Sequence, residues 1–68
     1  MSAEAALVAP APYVTIKAAA AATGYSVIAI ERKIERGVWR EGLEWVKAPD
    51  GRRLISIRGY EEWAKSAA

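Results

Sequence analysis

Between Thr15 and Gly37 the chain reads TIKAAAAATGYSVIAIERKIERG, two short stretches of helical periodicity broken at Thr23-Gly24-Tyr25. This break constrains the fold most, because it predicts two helices with almost no linker between them. In the first, Ile16, Ala19, Ala20 and Thr23 recur at i, i+3, i+4 and i+7 and so share one helical face. Thr15 is a good N-cap. The alanines from Ala18 to Ala22 combine high helix propensity with a slim surface, which lets a second helix approach closely. A plain alanine-rich surface helix is the alternative. Gly24 suits a left-handed residue that ends the helix. Ser26 then caps a second helix, Val27 to Arg36, and Gly37 ends it.

At about 100° per residue, Ser26, Lys33 and Ile34 fall within roughly 60° of Ile30, with Ala29 at the edge of that inward arc. Ile28, Glu31, Arg32 and Glu35 point the other way. Lys33 is expected to lay its stem along the core edge and send its ammonium outward.

Downstream, Val38-Trp39-Arg40-Glu41-Gly42 reads as a turn with an apolar anchor. Two β-prone runs follow, Leu43–Ala48 and Arg52–Ile57, with Pro49-Asp50-Gly51 between them. Pro presets φ and Gly accepts positive φ, so this is a β-hairpin. Ile55 and Ile57 alternate with Leu54 and Ser56, which leaves the buried face of the second strand open. Ser56 or Arg58 precedes a last helix, Gly59 to Lys65, whose Tyr60, Trp63 and Ala64 share a face suited to closing a core. Tyr13-Val14 is short and β-prone. Residues 1–12, rich in Ala and Pro and without periodicity, are expected to form a disordered arm, and residues 13–66 one folded domain.

The remaining chemistry narrows the function. With no Cys and no His in 68 residues, a disulfide framework and the common zinc sites are excluded. His and Cys are thereby missing as base or nucleophile, the carboxylates are scattered on basic-flanked surfaces, and no Gly-rich phosphate loop appears. No catalytic residue, metal or cofactor is therefore expected, and the chain is read as a non-enzyme. No apolar run reaches a membrane span, and the opening MSAEAALVAPAP carries Glu4 without the early bases of a signal peptide. A cytoplasmic protein is the expectation.

The formal net charge of +2 is unevenly placed. From Thr15 to Arg58 nine bases (Lys17, Arg32, Lys33, Arg36, Arg40, Lys47, Arg52, Arg53, Arg58) face five acids (Glu31, Glu35, Glu41, Glu44, Asp50), a net +4. The flanks carry Glu4, Glu61, Glu62 and Lys65, a net −2. Such asymmetry suits a polyanion. On the second helix, Arg32 and Arg36 can reach phosphates or guanine edges and Glu31 can accept from a cytosine amino group. Val27 and Ile28 can touch thymine methyls, and Ser26 stands at the helix start, where N–H groups favour phosphate. Surface ion pairing among Glu31, Arg32, Glu35 and Arg36 is the competing reading. Arg52 and Arg53 directly after the turn make a basic hairpin tip, fit to lie along a DNA backbone or enter a minor groove. The fold expected is α+β, a small winged helix with a helix-turn-helix, a two-stranded hairpin wing and a C-terminal helix.

In order and spacing, Tyr13-Val14-Thr15-Ile16-Lys17, Ala19-Ala20, Thr23-Gly24-Tyr25-Ser26, Ala29-Ile30-Glu31-Arg32-Lys33-Ile34, Gly37-Val38-Trp39, Pro49-Asp50-Gly51-Arg52 and Tyr60-Glu61-Glu62-Trp63 resemble phage excisionases. These are small winged-helix proteins related in fold to the DNA-binding domain of MerR-type regulators. The resemblance implies a recombination directionality factor that binds repeated sites beside a prophage attachment site. It would bend the DNA and assist a phage integrase, a tyrosine recombinase, in excision without cutting. It implies further copies bound side by side, a bacterial cytoplasm, and for some members transcription control at phage promoters. Carried onto this chain, Val27–Arg36 is the recognition helix and Pro49–Arg53 the wing tip. Relatives often carry an acid where Ala18 stands, completing a capping box with Thr15, and polar residues where Val27 and Ile28 stand. The implied DNA-contacting set is Lys17, Ser26, Val27, Ile28, Glu31, Arg32, Lys33, Arg36, Arg52 and Arg53. A transcription regulator using the same domain, or a protein-interaction module built on Val27, Ile28 and the tryptophans, are the other readings.

Overall fold

The computed structural model describes residues 12–67. Their order is β1 (Tyr13–Thr15), α1 (Ile16–Thr23), α2 (Val27–Glu35), β2 (Trp45–Lys47), β3 (Arg53–Ser56) and α3 (Ile57–Lys65). This is an α+β arrangement of three helices with one antiparallel sheet in the strand order β1-β3-β2. The arm expected over residues 1–12 lies outside the described residues except for Pro12. The Pro12 carbonyl accepts from the Ile57 N–H at 3.0 Å, which ties that residue to the start of α3.

Both helices of the leading pair start and stop where their local chemistry directs. The Thr15 hydroxyl accepts from Ala18 N at 3.1 Å and the Ser26 hydroxyl from Ala29 N at 3.0 Å. Each such cap stabilises by about 1 kcal/mol. Gly24 takes φ 87°, a left-handed position that a side chain disfavours, and donates to the Ala20 carbonyl at 2.9 Å. Helix α2 ends one residue earlier than its pattern predicts, with Arg36 as C-cap before Gly37. Ala19 of α1 is fully buried against the core that Ile30 and Ile34 of α2 build, so the small alanine face does allow close approach.

The sheet has three strands where the sequence predicts two. Tyr13, Val14 and Thr15 pair with Ser56, Ile55 and Leu54, while Trp45, Val46 and Lys47 pair with Ile55, Leu54 and Arg53. Strand β3 is therefore central, and the row Val14–Ile55–Trp45 packs with the core. That row settles the open face: Ile55 is fully buried. The strands are also shorter than the apolar runs. Leu43 and Glu44 close a turn by donating to the Arg40 carbonyl at 3.0 and 3.2 Å. Ile57 is already helical, because Ser56 ends β3 and caps α3 in one step, accepting from Gly59 N at 2.9 Å.

Trp39 is the centre of the fold, with none of its surface exposed. Its ring meets Tyr25, Tyr60 and Trp63 edge to face at centroid distances of 6.4, 6.1 and 5.4 Å. Such pairs contribute about 0.5–1.5 kcal/mol each beyond area burial. Its indole N–H has no hydrogen-bond partner among the described residues, while its carbonyl accepts from Trp45 Nε1 at 3.2 Å. Tyr60 and Trp63 pack on the core as predicted, and Ala64 does not; it is exposed. No helix among the described residues is long and apolar enough to cross a membrane.

Candidate nucleic-acid interface

Helix α2 separates a buried face from an exposed one by rotation. Ile30 and Ile34 face the core and fix the helix. On the outer side Ser26, Ile28, Ala29, Arg32, Lys33 and Arg36, together with Val38, line a shallow groove of about 370 Å³. No carboxylate lines it. Ile28 is 61% exposed and Val38 47%, so two branched apolar side chains stand in water beside two arginines. Among the described residues no ion pair joins Glu31 or Glu35 to Arg32, Lys33 or Arg36. The network of surface pairs that competes with the binding reading is therefore not formed within the helix. The N–H groups of Val27 and Ile28 belong to the first turn, where a helix provides no internal acceptor.

Lys33 behaves differently from its sequence expectation. Its ammonium does not extend outward; it sits 4.1 Å from the Tyr25 ring centroid and 5.9 Å from that of Trp63. The negative ring faces hold the cation there. Lys33 thus joins α2 to Tyr25 in the turn and to Trp63 on α3. Glu31 is half-buried and Val27 is exposed, and neither lines the groove.

The hairpin tip is built as the turn chemistry predicts. Gly51 takes φ 91° and donates to the Ala48 carbonyl at 2.8 Å, and Ala48 N donates to the Arg52 carbonyl at 2.7 Å. Asp50 accepts from Arg52 N at 3.0 Å and lies 3.8 Å from the Arg52 guanidinium. Both side chains are largely exposed, so this ion pair is worth little. The Arg53 guanidinium lies 5.6 Å from the Trp45 ring. Lys47 pairs directly with Arg53 across the hairpin, so their like charges share one sheet face and repel. Lys47 carries no tip signal in its local sequence; only the strand register puts it beside Arg53. Lys17 is exposed at the second position of α1. Apart from Val27 and Glu31, the expected site residues thus fall into three groups: the α2 groove, the hairpin tip, and Lys17.

Glu44, unremarked by its pattern, is the buried acid of the region. Its carboxylate accepts from Arg40 N at 2.8 Å and closes the turn that leads from Trp39 into β2. No protein-family model matches the chain, and no curated protein or solved structure matches it significantly.

Proposed function

We propose that this chain is a winged-helix, sequence-specific binder of double-stranded DNA. Helix α2 enters the major groove and the basic hairpin tip follows the backbone. The observation that carries this reading is the outer face of α2, where Ile28, Arg32 and Arg36 share a groove with no acid along it. A second cationic group, Lys47, Arg52 and Arg53, stands on a separate element, which suits an extended polyanion better than a compact anion. The more specific role, an architectural factor that bends DNA at repeated sites and assists a phage integrase in prophage excision, rests on the resemblance of residues 13 to about 65 to excisionases. In that role further copies bind alongside, the protein cuts nothing, and it works in the bacterial cytoplasm on the nucleoid.

Arg32 and Arg52 test the reading together. Arg32→Ala should lose about 1–3 kcal/mol at the cognate site and relax specificity at one position. Arg52→Ala should weaken all sequences about equally and lower the salt slope by about 1. Titration of both variants against cognate and scrambled duplexes decides; unchanged affinity in both removes this surface from DNA. An excision assay with the integrase, beside a reporter at a phage promoter, separates excision from transcription control.

A further inference from the structure

Ile28 is the most exposed of the large apolar side chains among the described residues, yet it lines the same groove as Arg32 and Arg36. It occupies the second position of α2, with Arg32 and Arg36 four and eight residues on. Each step of four turns only about 40° and rises about 6 Å, so the three form one slanting stripe. The side chain adds nothing to the buried seam of Ile30 and Ile34. A ligand that uses the whole stripe would be a polyanion presenting an apolar group within reach of two guanidinium groups. Duplex DNA offers one such group in the major groove, the C5-methyl of thymine. The first turn of a recognition helix is also the part that meets base edges. An acidic peptide with an apolar anchor would satisfy the α2 groove, but would leave Lys47, Arg52 and Arg53 without a role.

Resting on the DNA-binding reading, we infer that Ile28 is a specificity-determining residue that reads a thymine methyl. It contributes no hydrogen bond. It selects by burying its own side chain against the methyl, which disfavours cytosine and uracil at that position.

The test uses the full chain and a duplex selected from a randomised pool by affinity for it. Each thymine is replaced singly by uracil, which removes the methyl and keeps base pairing, and the dissociation constant is read by fluorescence anisotropy. For the unaltered protein, uracil should weaken binding about three- to fivefold at one or two positions, the effect of losing one buried methyl-sized group. In Ile28→Ser that penalty should vanish, and in Ile28→Val it should persist. Because Ile28 is exposed, both variants should keep the parent melting temperature. Insensitivity to uracil at every thymine overturns the methyl contact while leaving DNA binding intact. So does a penalty undiminished in Ile28→Ser, or a loss in that variant confined to the binding of a second copy. A chain that binds no duplex even at low salt overturns the parent reading and this one together.

Discussion

Helices α2 and α3 begin alike and end in opposite uses. Each has nine residues, and each is capped by a serine hydroxyl that accepts the N–H of the third helical residue, Ala29 in one and Gly59 in the other. Helix α2 sends Ile30 and Ile34 fully into the core and leaves an apolar, basic groove outside. Helix α3 buries no residue fully, leans half-buried Tyr60 and Trp63 on Trp39, and turns Glu61 and Glu62 to water. An aliphatic seam narrow enough to hold a helix on one side leaves its other side for a ligand. An aromatic clamp uses wide side chains at low burial, and the acids outside it repel a polyanion. The outer charge thus differs in sign between the two helices, basic along the groove of α2 and acidic at Glu61 and Glu62 of α3.

The comparison breaks most completely at the residue both helices share. Trp39→Ala removes the ring on which Tyr25, Tyr60 and Trp63 converge. The expected loss is about 3–5 kcal/mol, as large as the whole stability a chain of this size commonly has. Far-ultraviolet circular dichroism with urea should show a largely unfolded variant at room temperature. A melting point lowered by less than about 5 °C would show that the clamp does not depend on Trp39.

The third helical position sharpens it. On α2 that position is Ala29, half-buried on the groove side. On α3 it is Gly59, where an added Cβ would lie 2.8 Å from the carbonyl carbon of Leu43 and 2.9 Å from Cα of Glu44. Those neighbours are backbone and cannot swing aside. Gly59→Ala should therefore cost about 1–3 kcal/mol by overpacking, against the usual gain of alanine over glycine in a helix. The reverse change, Ala29→Gly, should cost only the propensity term of about 1 kcal/mol. Thermal melts of the two variants rank them; a stabilised Gly59→Ala would mean that α3 does not approach the Arg40–Glu44 turn so closely.

The same contrast explains what was legible in the sequence. Capped, periodic stretches declare themselves locally, so Thr15, Gly24, Ser26 and the Pro49-Asp50-Gly51 turn lie where their chemistry puts them. Trp39 was recognisable as an anchor because a lone tryptophan in a turn has to be buried somewhere. The third strand was not legible: Tyr13–Thr15 finds its partner about forty residues away in β3, and nothing local encodes that pairing. Nor was the start of α3, because Ser56 belongs at once to an alternating strand and to a helix cap. Lys33 defeated the helical-wheel reading for a third reason. The wheel gives its direction but not the aromatic rings of Tyr25 and Trp63 that capture its charge. Of the α2 groove, the spacing of Ile28, Arg32 and Arg36 was legible, and the part that Val38 takes in it was not.

The smallest expected effect is the one that separates Lys33 from its arginine neighbours. Lys33→Gln keeps a polar side chain of similar reach and removes the cation held between α2 and α3. If the ammonium serves the Tyr25 and Trp63 rings, stability falls by about 0.5–1 kcal/mol, a shift of roughly 2–8 °C in melting temperature. DNA affinity then keeps its salt slope, because no phosphate contact has been lost. If Lys33 instead leaves the rings and meets a phosphate when DNA binds, the slope falls by about 1, as for Arg52→Ala. Measuring both quantities on one variant distinguishes a residue that fastens the two helices from one that belongs to the presented face. A lowered melting point with an unchanged slope assigns Lys33 to the clamp, although its sequence position is on α2.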